Sequence, residues 1–174
     1  MSTFDPDISS LIVGEEDQVQ IATCLQRLMA DSGASYSMVI DRSGQILSEE
    51  SDDIRPEMIH LGALIAATYA STQEMARILK EDGFKTLFQE GLKEKIFTET
   101  VRGRWLLVVI FDHQAQVGMV KVLARRSSAV LANILELVER RSSEMGTTRF
   151  RHVGKATIDT IDLIFKDDGR SDDE

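Results

Sequence analysis

The chain has 174 residues, 43% of them apolar, with 29 acidic against 20 basic side chains and a formal net charge of −9. That is a one-domain length with enough apolar residues for a core, and the lack of a basic excess argues against a general nucleic-acid binder. The acidity lies at the ends: residues 1–17 carry −5 and residues 166–174 carry −3, which leaves −1 for the 148 residues between them.

No apolar run reaches the roughly 18 residues that a membrane span needs. The acidic start, Met1 to Asp7, is unlike a signal peptide. One cysteine, Cys24, cannot form an internal disulfide, so a cytoplasmic protein is expected.

A first helix follows from Ile21, Cys24, Leu25, Leu28 and Met29, which recur at three and four residues. Glu15, Glu16 and Asp17 favour its positive end, and Asp31-Ser-Gly33 stops it. Cys24 lies on the apolar stripe, where a buried core thiol is expected and not a nucleophile. A hairpin comes next: Tyr36 to Ile40, a turn at Asp41-Arg-Ser-Gly44, and a return strand Gln45 to Ser48. Glu49 to Asp53 reads as a polar loop.

The second helix starts near Pro56, which is tolerated in a first turn, and runs to about Lys80. Its first half is apolar almost all round. Met58, Leu61, Ile65, Tyr69 and Leu79 form a bulky side suited to the sheet. Ala63, Ala66, Ala67 and Ala70 form a small side left over for another helix. Three strands follow: Lys85 to Gln89, Lys95 to Val101 and Arg104 to Asp112. The last is apolar on both sides, so it belongs in the middle of a sheet covered on both faces. A third helix is marked by Val117, Val120, Ala124, Ser127, Leu131, Ile134 and Val138, ending near Arg140-Arg141. The expected fold is α+β, in the order α-β-β-α-β-β-β-α: one mainly antiparallel five-stranded sheet with helices on both faces.

Residues 142–155 read as a linker to a short apolar island. In it Ile158, Ile161, Ile164 and Phe165 share one helical face. Ten residues are too few for a stable isolated helix, so the island either docks on the body or folds on a partner.

Catalytic motifs are missing. There is no phosphate-loop, dinucleotide or nucleophile-elbow pattern, and His60, His113 and His152 lack metal-ligand spacing. Asp112 reads as a cap for the loop after the strand, and Arg102 and Arg104 as solubilising turn residues. A catalytic acid and a phosphate-reaching arginine are the sharper alternatives. What the sequence offers is binding surface: the small helix face, a short edge strand and the apolar island.

The element order resembles the Roadblock/dynein light chain family. Gly83-Phe-Lys-Thr-Leu-Phe-Gln-Glu-Gly91, Trp105-Leu-Leu-Val-Val-Ile-Phe-Asp112 and Val117-Gly-Met-Val-Lys-Val122 are similar to its bacterial MglB branch, over roughly residues 18–141. Ile161-Asp-Leu-Ile-Phe165 resembles that branch's short C-terminal partner-binding segment. The resemblance implies a profilin-like Roadblock domain at 18–141, between an acidic tail (1–17) and a linker (142–155). An amphipathic segment with an acidic tail (156–174) then ends the chain. It implies a homodimer built on helix two and an edge strand with Thr86, Leu87 and Phe88. It further implies binding of one MglA-type small Ras-like GTPase, whose hydrolysis the dimer stimulates by remodelling it, without an arginine finger. A scaffold that binds without changing hydrolysis is the alternative, and a small-molecule sensor a third reading. Ala63, Ala66, Ala67, Ala70, Ser71 and Glu74 would line the helix surface, where Gln73 and Glu74 are larger than the family pattern. Ile158, Ile161, Ile164 and Phe165 would reach the GTPase on a second surface and assist nucleotide exchange. The implied setting is bacterial cell polarity and gliding motility in the cytoplasm, a cell pole included. No cofactor, metal, nucleic acid, membrane insertion or small-molecule substrate is expected.

Overall fold

The computed structural model describes Leu11 and residues 13–167, with side chains as far as Glu144. The elements run α1 (Glu15–Ser32), β1 (Tyr36–Asp41), β2 (Ile46–Ser51), α2 (Met58–Leu79), β3 (Thr86–Glu90), β4 (Glu94–Val101), β5 (Trp105–Asp112) and α3 (Val117–Asp167). This is the expected order.

The doubly apolar β5 lies at the centre of a five-stranded sheet ordered β2-β1-β5-β4-β3, and every neighbouring pair is antiparallel. Its alternation divides the core in two. Leu107, Val109 and Phe111 join Val39 and Phe97 under α1 and α3. Leu106, Val108 and Ile110 join Tyr36, Met38 and Ile40 under α2. A strand buried on both faces needs apolar side chains at every position, and Trp105 to Phe111 supplies them without a gap.

α1 buries the predicted stripe, with Ile21 and Leu25 fully covered. At its start the Asp17 carboxylate accepts the Gly14 N–H at 3.1 Å and pairs with the Arg141 guanidinium at 2.5 Å, fastening α1 to α3. At its end Gly33 takes φ 71° and returns its N–H to the Met29 carbonyl, a left-handed cap that glycine adopts without strain. Cys24 is buried with its Sγ 3.8 Å from the Ser127 carbonyl, and burial pushes its thiol pKa up, away from thiolate chemistry.

Two boundaries differ from the sequence reading. β2 continues to Ser51, through residues expected as loop, with Met38 opposite Glu49 and Tyr36 opposite Ser51. An edge strand needs a partner for its backbone on one side only, so polar residues serve there, and the Tyr36 hydroxyl donates to the Glu49 carboxylate. α3 does not end at Arg140-Arg141 but stays helical through the 142–155 stretch as far as Asp167. That stretch holds no proline. Gly146 and Gly154 each cost about 1 kcal/mol relative to alanine, which weakens a helix without stopping it.

Candidate functional site

α2 is held against the sheet by a narrow arc: Met58, Gly62, Ile65, Ala66, Tyr69, Thr72 and Ala76. Near its start the β1–β2 turn lies directly on the helix backbone. Gly44 has φ 88°, and a Cβ there would stand 2.5 Å from the Ala63 Cα. Gly62 is also tight, though less so, since its Cβ would be 3.0 Å from the Gly44 carbonyl oxygen. Near the end of α2, the Gln73 amide donates to the Phe84 carbonyl at 3.1 Å, and the Tyr69 hydroxyl lies 3.5 Å from the same oxygen. Gly83 has φ 141°, and Gln73 Oε1 fills the place its side chain would take. Gln73 is therefore not a bulky intrusion on the outer face, because it turns inward and anchors the α2–β3 connection.

Ala63, Ala67, Ala70, Ser71 and Glu74 are all exposed on the outward side of α2. Ala66 is a correction. It is 4% exposed and belongs to the α2 core with Ile65 and Tyr69, on the sheet side of the helix. Leu79 is a correction in the other direction: assigned to the sheet side, it is 65% exposed in the last turn, beyond the buried arc. The sequence reading also missed large apolar side chains on the free surface. Ile59, Leu64, Met75 and Ile78 are each half exposed or more. The signal was present, since a helix apolar all round must leave apolar residues on whichever side lacks a neighbour. Glu74 accepts hydrogen bonds from Arg77 Nε at 3.0 and 3.1 Å, a pair that lies in solvent.

β3 follows α2 in the chain and forms one edge of the sheet. Among the described residues it pairs with β4 alone, so its outer edge presents backbone groups of the kind that accept another strand. Thr86 is exposed and Leu87 half-buried. Phe88 faces the α1–α3 side: its ring stacks on Phe111 at 6.4 Å, and the Lys121 ammonium stands 4.7 Å from its centroid. Phe88 therefore anchors the strand, while Thr86 and Leu87 remain available.

Other sequence candidates resolve into structure. Asp112 accepts the Gln114 N–H at 2.8 Å and caps its loop. Arg102 reaches Glu136 at 2.9 Å, and Arg104 lies 3.5 Å from Glu139, whose carboxylate also accepts the Trp105 indole N–H at 2.9 Å. Among the described residues no group of three or more His, Cys, Asp or Glu is placed to hold a metal ion, and no helix is long and apolar enough to cross a membrane. Ile158, Ile161, Ile164 and Phe165 fall on the α3 backbone, but their side chains lie outside the described residues.

Residues 20–111 match the Roadblock/LC7 domain. Among solved structures, the gliding protein MglB of Thermus thermophilus is 29% identical with a TM-score of 0.69, over 73% of this chain and 96% of its own. Myxococcus xanthus MglB is also 29% identical, with a TM-score of 0.65 over 67% of this chain and 95% of its own. An MglB with a tetrameric arrangement is 28% identical, with a TM-score of 0.71 over 74% of this chain and 97% of its own. No curated protein sequence matches the chain. With more than half of its length matched by the domain, the chain belongs to the Roadblock/LC7 domain family and resembles the MglB proteins within it.

Proposed function

We propose that the protein is a homodimeric regulator of an MglA-type small Ras-like GTPase and stimulates its GTP hydrolysis. The observation that carries this reading is the face of α2 left uncovered among the described residues, with Ile59, Leu64, Met75 and Ile78 exposed around Ala63, Ala67, Ala70 and Ser71, together with the open edge of β3. A monomer that leaves so much large apolar surface on one helix has a use for it in association. Two copies pair through α2 and β3. The paired helices then offer a joint surface to one GTPase, and the C-terminal segment with Ile158, Ile161, Ile164 and Phe165 makes a second contact.

The proposed mechanism is remodelling: the dimer reshapes the GTPase so that the GTPase's own residues meet the nucleotide. Two features support it. The turn arginines that a finger mechanism would use, Arg102 and Arg104, lie against the carboxylates of α3. The helix face is also fixed at both ends, by Gly44 on Ala63 and by Gln73 on Phe84, so it meets a partner already shaped. The inward turn of Gln73 removes one of the two bulky residues that spoke for a plain scaffold, and Glu74 stays on the outer face paired with Arg77. The work is proposed to take place in the cytoplasm, in bacterial polarity or gliding, a cell pole included.

The test is the single-turnover GTP hydrolysis rate of an MglA-type GTPase with and without the dimer. Faster hydrolysis at saturating dimer supports the reading. Binding with unchanged hydrolysis makes the protein a scaffold, and absence of binding removes the GTPase from the account.

A further inference from the structure

The pairing of β3 with β4 determines which backbone groups β3 leaves for a further strand. In an antiparallel pair, opposite residues alternate between those that exchange hydrogen bonds and those that do not. The Lys85 carbonyl accepts the Thr100 N–H at 2.9 Å, and the Gly91 N–H donates to the Glu94 carbonyl at 2.9 Å. Both contacts continue the register that sets Leu87 opposite Thr98 and Gln89 opposite Ile96. Lys85, Leu87, Gln89 and Gly91 therefore turn their backbone groups toward β4. Thr86, Phe88 and Glu90 turn theirs to the open edge. By the alternation of a strand, Leu87 and Gln89 lie on the α2 face of the sheet, opposite to Phe88.

A two-fold axis through the sheet keeps each face on its own side, so one residue must stand opposite its own copy. Centred on Phe88, the whole of Thr86 to Glu90 is paired: Phe88 with Phe88, and Thr86 with Glu90 twice. These three pairs exchange about six backbone hydrogen bonds. Centred on Leu87 or on Gln89, about four remain. In the first case Glu90 falls opposite Phe84, whose carbonyl is already held by Gln73. In the second Thr86 falls opposite Leu92 in the β3–β4 turn, with Phe88 against Glu90 and Lys85 against Lys93. Centring on Phe88 opposes no like charges and sets the Thr86 hydroxyl beside the Glu90 carboxylate. It also gives a place to Leu92, which is fully exposed and the most exposed large apolar residue among those described. Leu92 lies two residues past the end of β3 and the half-exposed Phe84 two before its start, so the pairing brings them together at each end of the joint. We propose that the open edge of β3 takes the same edge of a second copy with Phe88 opposite Phe88, and that Leu92 of each copy closes the joint against Phe84 of the other. This rests on the pairing through β3 proposed above, to which it adds the register and a residue of the turn. Gln73 ties α2 to Phe84, so a fixed register also fixes the offset of the two α2 helices.

The full-length protein is tested in two ways. Residues directly opposite each other have Cα atoms within the disulfide range of about 4.4–6.8 Å, whereas diagonal ones lie about 7–8 Å apart. Leu87→Cys and Gln89→Cys chains, one of them carrying a size tag, are co-expressed and mildly oxidised; the native Cys24 is buried and does not compete. The mixed cross-link should exceed either self-cross-link at least about tenfold, where chance pairing gives about twofold. By sedimentation across a concentration series, Leu92→Ser should weaken the dimer about tenfold, since the contact is lost at both ends, and Leu92→Met should match the wild type. In dilute single chains Leu92→Ser should melt with the wild type, because the side chain is fully exposed there. A dominant self-cross-link at either cysteine, or none at all, in a protein that is still dimeric overturns the register and leaves the pairing. An unchanged dissociation constant in Leu92→Ser overturns the part given to the turn. A wild type that stays monomeric at every concentration overturns the pairing and this proposal with it. A dominant mixed cross-link in a dimer that leaves GTP hydrolysis unchanged upholds the register and sinks only the earlier reading of the activity.

Discussion

Ala66 and Ala70 lie one helical turn apart and look equivalent in sequence, yet Ala66 is 4% exposed against the sheet and Ala70 is on the open side. Replacing each with arginine separates folding from association. In a single folded chain Ala70→Arg places a cation in water, a change of no more than about 0.5 kcal/mol. Within a pair it must bury that cation without a partner, at about 3 kcal/mol, or roughly a hundredfold in affinity. Ala66→Arg forces a long charged side chain between Ile65, Tyr69 and the sheet, costing the fold itself about 3 kcal/mol and some 9 °C of melting temperature. The assay is a melting curve at several protein concentrations together with the GTP hydrolysis rate of the partner. The wild type should melt higher as concentration rises, as a dimer must. Ala70→Arg should remain folded but melt independently of concentration and no longer stimulate hydrolysis. Ala66→Arg should melt low at every concentration. If Ala70→Arg dimerises and stimulates like the wild type, the outward face of α2 is not the interface and the argument from its exposed residues fails.

Three further substitutions probe what holds that face in place. Gly44→Ala should cost about 3 kcal/mol in urea unfolding, because its Cβ would stand 2.5 Å from the Ala63 backbone at a φ of 88°; a loss under about 1 kcal/mol would mean the turn does not rest on α2. Glu139→Ala should cost about 2 kcal/mol by removing the acceptor of the buried Trp105 indole N–H, and Glu139→Gln should recover much of it; equal losses would show that the hydrogen bond contributes little. Burial and then the Glu49 carboxylate raise the Tyr36 hydroxyl above its ordinary pKa of 10.0, and burial raises Tyr69 as well. The unfolded chain therefore sheds these protons first. The stabilisation is complete below pH 10 and declines as pH rises toward the folded values. Tyr36→Phe should cost about 1 kcal/mol at neutral pH and flatten part of the alkaline decline, leaving the share of Tyr69; an alkaline limb of unchanged slope would refute the assignment.

The elements that the sequence predicts well are those whose side chains see one environment. α1 has a single buried stripe, and β5 is enclosed on both faces, so three-four spacing in one and unbroken apolarity in the other identify them. Elements settled by a neighbour distant in sequence were harder. Glu49 to Ser51 carry loop-like side chains, and only pairing with Tyr36 to Met38 makes them a strand. The surface of α2 was legible as small residues to spare, but its orientation was not. Apolarity all round leaves the rotation of a helix undetermined, and close contact of Gly44 with Gly62 and Ala63 fixes it. The role of Gln73 depended on the α2–β3 connection folding under it, which no local pattern reveals. The arginines before Ser142 suggested a helix end through the dipole, an effect too weak to stop a helix that has no proline ahead.

The side chains of α2 are distributed unusually for a helix of a single folded chain. Inward it presents Gly62, Ala66, Thr72 and Ala76 with three large residues, Met58, Ile65 and Tyr69. Outward it presents Ile59, Leu64, Met75, Ile78 and Leu79. The small inner residues let the helix lie close to the sheet, and the glycine contact and the Gln73 anchor hold it there with little apolar bulk. The large outer residues leave half or more of their surface uncovered in the isolated fold. At about 25 cal/mol per Å² of apolar surface, covering them would stabilise an assembly. α2 therefore has the composition expected of a helix shared between two cores, the one within the chain and the one that the proposed pairing would complete. An isolated chain should accordingly be the least stable form in which this sequence exists.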